Sequence, residues 1–104
     1  MRFIMWYKSY TGLRFHFDER KSRKLRADQT RGIGFEEAVE MFLNPHGIDE
    51  RSETPEQFRA IGGVRGTLYS VVFEIRSDGE GEYYHLVTLW KATRRERELY
   101  EENT

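Results

Sequence analysis

Leu13, Phe15 and Phe17 alternate with Arg14 and His16, a period of two that predicts a strand over 13–17. Residues 3–8 are the partner strand expected before it, with 9–12 as the turn. Asp18 is suited to cap a helix over 19–29 that is very basic and weakly apolar. Arg31, Gly32, Ile33 and Gly34 interrupt it. Phe35, Ala38, Val39 and Phe42 then fall at i, i+3, i+4 and i+7, which predicts a second, amphipathic helix ending near Asn44 and Pro45. Its exposed face carries Glu36, Glu37 and Glu40. Residues 45–57 read as a polar connection, with Thr54, Pro55 and Gln57 at the N-cap, N1 and N3 positions of a short helical turn.

From Phe58 the pattern changes. Residues 58–64 read as a strand broken at Gly62 and Gly63, and Arg65 and Gly66 as a turn. The strongest strand signal is 67–76, with Tyr69, Val71, Phe73 and Ile75 on one face. Asp78 and Gly79 mark a hairpin turn within 77–81. The returning strand, 83–91, directs Tyr83, His85, Val87, Leu89 and Lys91 one way and Tyr84, Leu86, Thr88 and Trp90 the other. Thr93 and Glu96 form a capping box that opens a C-terminal helix to about residue 102. The expected fold class is α+β. An antiparallel sheet, made of a three-stranded C-terminal meander plus an N-terminal strand, packs against two N-terminal helices and carries a C-terminal helix.

The chain of 104 residues fits one domain, 1–104, with residues 1–12 as an extra N-terminal strand. Zero cysteines exclude a disulfide scaffold, a thiol nucleophile and a thiolate metal site. With no membrane-length apolar run and no signal-peptide pattern, the cytoplasm is the expected address and no membrane partner is expected. The net charge of −1 hides a segregation: residues 1–31 carry +6 and residues 32–58 carry −6. Such a chain is a poor ligand for bulk nucleic acid as a whole, but accommodates a local basic patch.

None of the high-specificity catalytic motifs is present. His16, His46 and His85 lie far apart in sequence, so no metal site and no cofactor is expected. The last third is richer in chemistry. Metal-free RNA cleavage needs a base for the 2′-OH, cations for the phosphorane and an acid for the leaving 5′-oxygen. His85, Arg76, Arg94 and Arg95 supply those types, and aromatic side chains can stack unpaired bases. From composition alone, core-filling aromatics and a solvated helix account for the same residues better.

Five stretches resemble the BrnT toxin family of type II toxin–antitoxin modules. Phe15 to Lys21 resembles the family's opening F-x-[FW]-D-x-x-K. Gly32 to Ala38 resembles G-[IV]-x-F-E-E-A. Phe58 to Gly62 resembles the strand ending in I-G. Gly66, Leu68, Val71, Val72 and Phe73 follow G-x-L-x-V-V-[YF]. Ala92 to Glu101 resembles A-T-x-x-E-R-x-x-Y-E. The resemblance spans about residues 13–102. It implies a RelE-like fold and a metal-independent endoribonuclease that cleaves mRNA and inhibits translation. It also implies a cognate antitoxin with a ribbon-helix-helix DNA-binding domain. It places the site on the sheet beside the C-terminal helix, with His85, Lys91 and Arg94 catalytic and Arg59, Arg76, Arg95 and Tyr100 binding the RNA substrate. A homodimer is compatible with the sequence.

The chain departs from the family pattern at Thr30 and Arg31, where Lys-His is usual, and at His85 and Trp90, where arginine is usual. The family's arginine before the I-G strand falls at Gln57, two residues from Arg59. These departures leave a second function open: a catalytically weakened RelE-fold module acting with its DNA-binding antitoxin as a corepressor.

Overall fold

The computed structural model of the chain describes residues 4–8 and 12–103. Its elements are β1 (Ile4–Lys8), β2 (Arg14–Asp18), α1 (Glu19–Ala27), α2 (Phe35–Ala38), a 3₁₀ turn (Val39–Leu43), β3 (His46–Glu53), β4 (Glu56–Val64), β5 (Thr67–Asp78), β6 (Gly81–Lys91) and α3 (Arg94–Glu102). The fold is mixed α+β. Six strands form one sheet in the order β1-β2-β6-β5-β4-β3. All neighbours are antiparallel except β2 and β6, which run parallel, so the sheet is mixed rather than wholly antiparallel.

Helix α1 starts where its cap demands: Asp18 has extended backbone angles and accepts from the Lys21 N–H at 3.1 Å. Its buried residues, Ser22 and Leu25, lie three apart, so the helix lies on the sheet along a narrow stripe. Phe35, Ala38, Val39, Met41 and Phe42 from α2 and the 3₁₀ turn join Phe15, Phe17, Ala60, Tyr69, Val71, Phe73, Leu86 and Leu89 in a single core on that face. Ile75, expected on the same face, is 41% exposed, because β5 runs on past the helices into the hairpin.

Ser22 ties the helices together. Its hydroxyl donates to Glu36 Oε2 at 2.5 Å and accepts from the Phe35 N–H at 2.8 Å. That closeness requires glycine at position 34. A Cβ there would lie 2.5 Å from Ser22 Oγ and 2.8 Å from the Ser22 carbonyl oxygen. Gly34→Ala is therefore expected to cost about 2 kcal/mol in a denaturant melt, the scale of an overpacked contact.

Two expectations fail in the middle of the chain. Residues 45–57 are not a connection. They contain β3, an edge strand, and the tight turn at Thr54 and Pro55 that leads into β4. β3 is mostly polar and exposed, so it lacks the apolar alternation that marks a half-buried strand. Pro55 serves that turn and not a helical N1 position. β4 also continues unbroken through Gly62, where a Cβ would meet Met41 Cγ at 2.7 Å and His46 Cβ at 2.9 Å.

The acidic face of the second helix is not a free surface either. Glu36 and Glu37 both accept from Arg26, the latter at 2.8 Å, and Glu40 accepts from Arg65 at 2.9 Å. Among the described residues no helix is long and apolar enough to cross a membrane. The turn expected at 9–11 lies outside the described residues.

Candidate functional site

Directly paired residues share a face of a sheet. The registers therefore place Arg14 and His16 of β2, Tyr83, His85, Thr88 and Trp90 of β6, Ser70, Val72, Glu74 and Arg76 of β5, and Gln57, Arg59 and Ile61 of β4 on the face opposite α1 and α2. Helix α3 crosses part of this face, and the rest holds a polar cluster.

The α3 end is organised by Glu96, whose side chain is 5% exposed. Its Oε1 accepts from Trp90 Nε1 at 2.9 Å and from the Thr93 N–H at 2.8 Å, and its Oε2 accepts from Arg59 Nη1 at 3.0 Å. The Ser70 hydroxyl is buried nearby and makes no hydrogen bond of ordinary geometry among the described residues. Burial pushes the Glu96 carboxyl up, but these donors and the Arg59 charge outweigh it and hold it below the usual range. Arg59 is also bound through Nε to Asp49 Oδ1 at 2.9 Å, with a second contact from Nη2 to Asp49 Oδ2. Arg51 stacks over the Trp90 ring at 4.9 Å.

The other end centres on two histidines brought together by the parallel β2–β6 pairing. His16 Nδ1 and His85 Nδ1 are 2.8 Å apart, and the residues are 7% and 5% exposed. Burial and the nearby Arg76 charge hold His16 below its ordinary pKa, with Asp78 opposing. Glu74, paired with His85 in the register, accepts from Gln57 Nε2 at 2.8 Å and from Arg76 Nε at 3.0 Å. Burial raises the Glu74 carboxyl, but those bonds and the Arg76 charge leave it depressed. Arg14 clamps the β5–β6 hairpin through Asp78 Oδ1 at 2.7 Å and the Gly81 carbonyl at 2.8 Å, and lies over the Tyr83 ring.

The expected site residues do not all converge. His85 and Arg76 share one cluster through Glu74. Arg59 belongs to the α3 end. Lys91 is on the opposite face from His85: it pairs with Tyr69, a core residue, whereas His85 pairs with Glu74. The cause is a bulge between Val72 and Phe73, which leaves Val87 as an extra residue and inverts the alternation of β6. Arg94 is 94% exposed and carries a 3.6 Å contact to Glu98, and Arg95 is exposed. Tyr100 lines a cleft of about 320 Å³ with His46, Ile48, Ile61, Leu99 and Asn103.

Three residues central to this face are not evident from the sequence. His16 reads as the polar partner in an alternating strand, Glu74 as a solvated acid, and Glu96 as one half of a capping box. Only the capping-box signal anticipated a contact. Among the described residues no group of three or more His, Asp or Glu side chains is placed to hold a metal ion. Searches of the chain against protein-family models and against curated proteins return no match.

Proposed function

We propose that this chain is a BrnT-like toxin of a type II toxin–antitoxin module. On this reading it is a metal-independent endoribonuclease that cleaves mRNA, inhibits translation and is neutralised by a ribbon-helix-helix antitoxin. The observation that supports it beyond the sequence motifs is the His16–His85 contact beside Arg76. A hydrogen bond between two Nδ1 atoms requires one ring to carry its proton there and the other to lack one. The donor ring then has an unprotonated Nε2, a base. The acceptor ring has an Nε2–H, an acid. Metal-free RNA cleavage needs that complementary pair.

The base takes the 2′-OH proton, and the 2′-oxygen bonds to phosphorus. The P–O5′ bond breaks, and the leaving oxygen takes the proton from the acid. A proton shift across the Nδ1–Nδ1 bond restores two neutral rings with their roles exchanged. Arg76, once released from Glu74 by the phosphate, supplies the cation that stabilises the phosphorane. Lys91 and Arg94 have no part in this assignment.

One observation favours the corepressor reading: Arg59 and Arg76 are both engaged by carboxylates, not left available to phosphate. The two readings separate on purified protein incubated with mRNA and a chelator. The ribonuclease reading expects fragments with 2′,3′-cyclic phosphate and 5′-hydroxyl ends, and growth arrest when the chain is induced without its neighbour gene. An intact transcript, with tighter operator binding by the antitoxin when the chain is added, establishes the corepressor instead.

A further inference from the structure

We infer that the exposed face of α1 is a phosphate-backbone contact for RNA, separate from the sheet-face cluster and on the opposite side of the sheet. Five of its nine residues are basic: Arg20, Lys21, Arg23, Lys24 and Arg26. Ser22 and Leu25 face the core, and Arg26 is drawn inward to Glu36 and Glu37. Of the other four basic residues, Arg20, Arg23 and Lys24 line a shallow depression with Ala27, and Lys21 lies outside it. Their i, i+3, i+4 spacing makes them neighbours on the helix surface.

Three features set this face apart. Its charge is left largely uncompensated. Six arginines elsewhere (Arg14, Arg26, Arg31, Arg59, Arg65 and Arg76) lie against carboxylates, whereas Arg20 and Lys24 have no carboxylate partner among the described residues. Arg23, the third cation of the depression, is matched by Glu19 at 3.2 Å in an exposed pair. Part of the arrangement also works against the helix. Arg20 and Lys21 stand in the first turn, where the macrodipole disfavours cations, and Arg20 and Lys24 are a like-charge i, i+4 pair. Lys24 lies in the last turn, where a cation suits the macrodipole, so helix stability accounts for Lys24 but not for Arg20, whereas a polyanion accounts for both.

The face is also bare of anchors. A protein partner needs aromatic or aliphatic groups to bury, and Ala27 is the one apolar residue here. A phosphate backbone needs only cations at suitable spacing. The partner is thus RNA backbone rather than an acidic protein. The proposal takes the choice of RNA from the reading above, while the patch itself stands on α1.

The test measures binding without cleavage. A fluorescent 2′-O-methyl oligoribonucleotide lacks the attacking hydroxyl, so its anisotropy reports affinity alone. The double variant Arg20→Ala/Lys24→Ala changes only exposed positions, and its thermal melt verifies the fold. It is expected to bind about tenfold more weakly. The slope of log K against log salt should fall by about 1.4, the value for two lost contacts to a single strand. A parent that binds in this way but never cuts RNA ends the ribonuclease reading and leaves this one intact. A parent that does not bind, or a double variant with the parent's affinity and slope, overturns it. Loss of antitoxin binding with RNA binding unchanged would assign the face to a protein and overturns it equally.

Discussion

Glu96→Ala is expected to lower the unfolding free energy by about 3 kcal/mol, the scale of removing one partner from a buried ion pair. The carboxylate holds three elements at once. Arg59 belongs to β4, Trp90 to β6, and Thr93 caps α3. The alanine variant leaves the Trp90 N–H and the Thr93 N–H without their acceptor in a part-buried setting, where a lost partner costs up to roughly 1–3 kcal/mol. Arg59 keeps Asp49, which limits the loss. For a domain of this size about 3 kcal/mol lowers Tm by roughly 15 °C. Glu96→Gln supplies the control. It retains an oxygen for Trp90 and a capping-box residue at N3, so it should lose less than half as much. Because the carboxyl is held below its usual range, its contribution is present above the unfolded carboxylate pKa and disappears as pH falls through the folded value. An alanine variant within 0.5 kcal/mol of the parent in urea melts would show that α3 docks by apolar contact alone.

Much of the fold was legible wherever one side of an element is buried. The alternation in β2, the cap at Asp18 and the capping box of α3 all appear at or near their expected positions. The apolar spacing from Phe35 to Phe42 marks a buried helical face, though the single helix expected there is a short α-helix continued by a 3₁₀ turn. The failures have a common physical origin. β3 is an edge strand whose exposed residues leave no imprint of burial on the sequence. The bulge at Val87 depends on how two strands fit over a core, and it moves Lys91 away from His85 without any local signal. The carboxylate partners of Arg59 and Arg76 are set by strand register and helix docking. A sequence reading could therefore place the arginines on the sheet but not see that they are already engaged. The histidine pair is the extreme case. It joins residues 69 apart through the one parallel strand pairing among the described residues, which no hairpin signal announces.

That pair makes stability sensitive to mild acid. With the two Nδ1 atoms 2.8 Å apart, a proton on both nitrogens would break the hydrogen bond and set an imidazolium N–H against the N–H of the other ring. His16 is depressed by burial and by Arg76. The folded state therefore binds fewer protons than the unfolded chain once pH drops below about 6.5, the ordinary histidine pKa. Stability should be level above that pH and decline below it, by at most about 1.4 kcal/mol per pH unit for each extra proton taken up on unfolding. Carboxylate protonation adds its own loss only in stronger acid. His16→Gln keeps a hydrogen-bonding side chain without the titration, so its unfolding free energy should be flatter between pH 7 and pH 5. In the ribonuclease assay His85→Ala should lower the cleavage rate by about 10²-fold or more, the usual scale for losing a general acid or base. Lys91→Ala should match the parent, since Lys91 stands on the other face of the sheet. Cleavage by the parent should also weaken in acid, at a pH below the ordinary histidine value, as the pair takes up a further proton. Equal pH dependence of stability in parent and His16→Gln would mean that the two rings do not titrate as a pair. A Lys91→Ala loss as deep as that of His85→Ala would return the chemistry to the opposite face of β6.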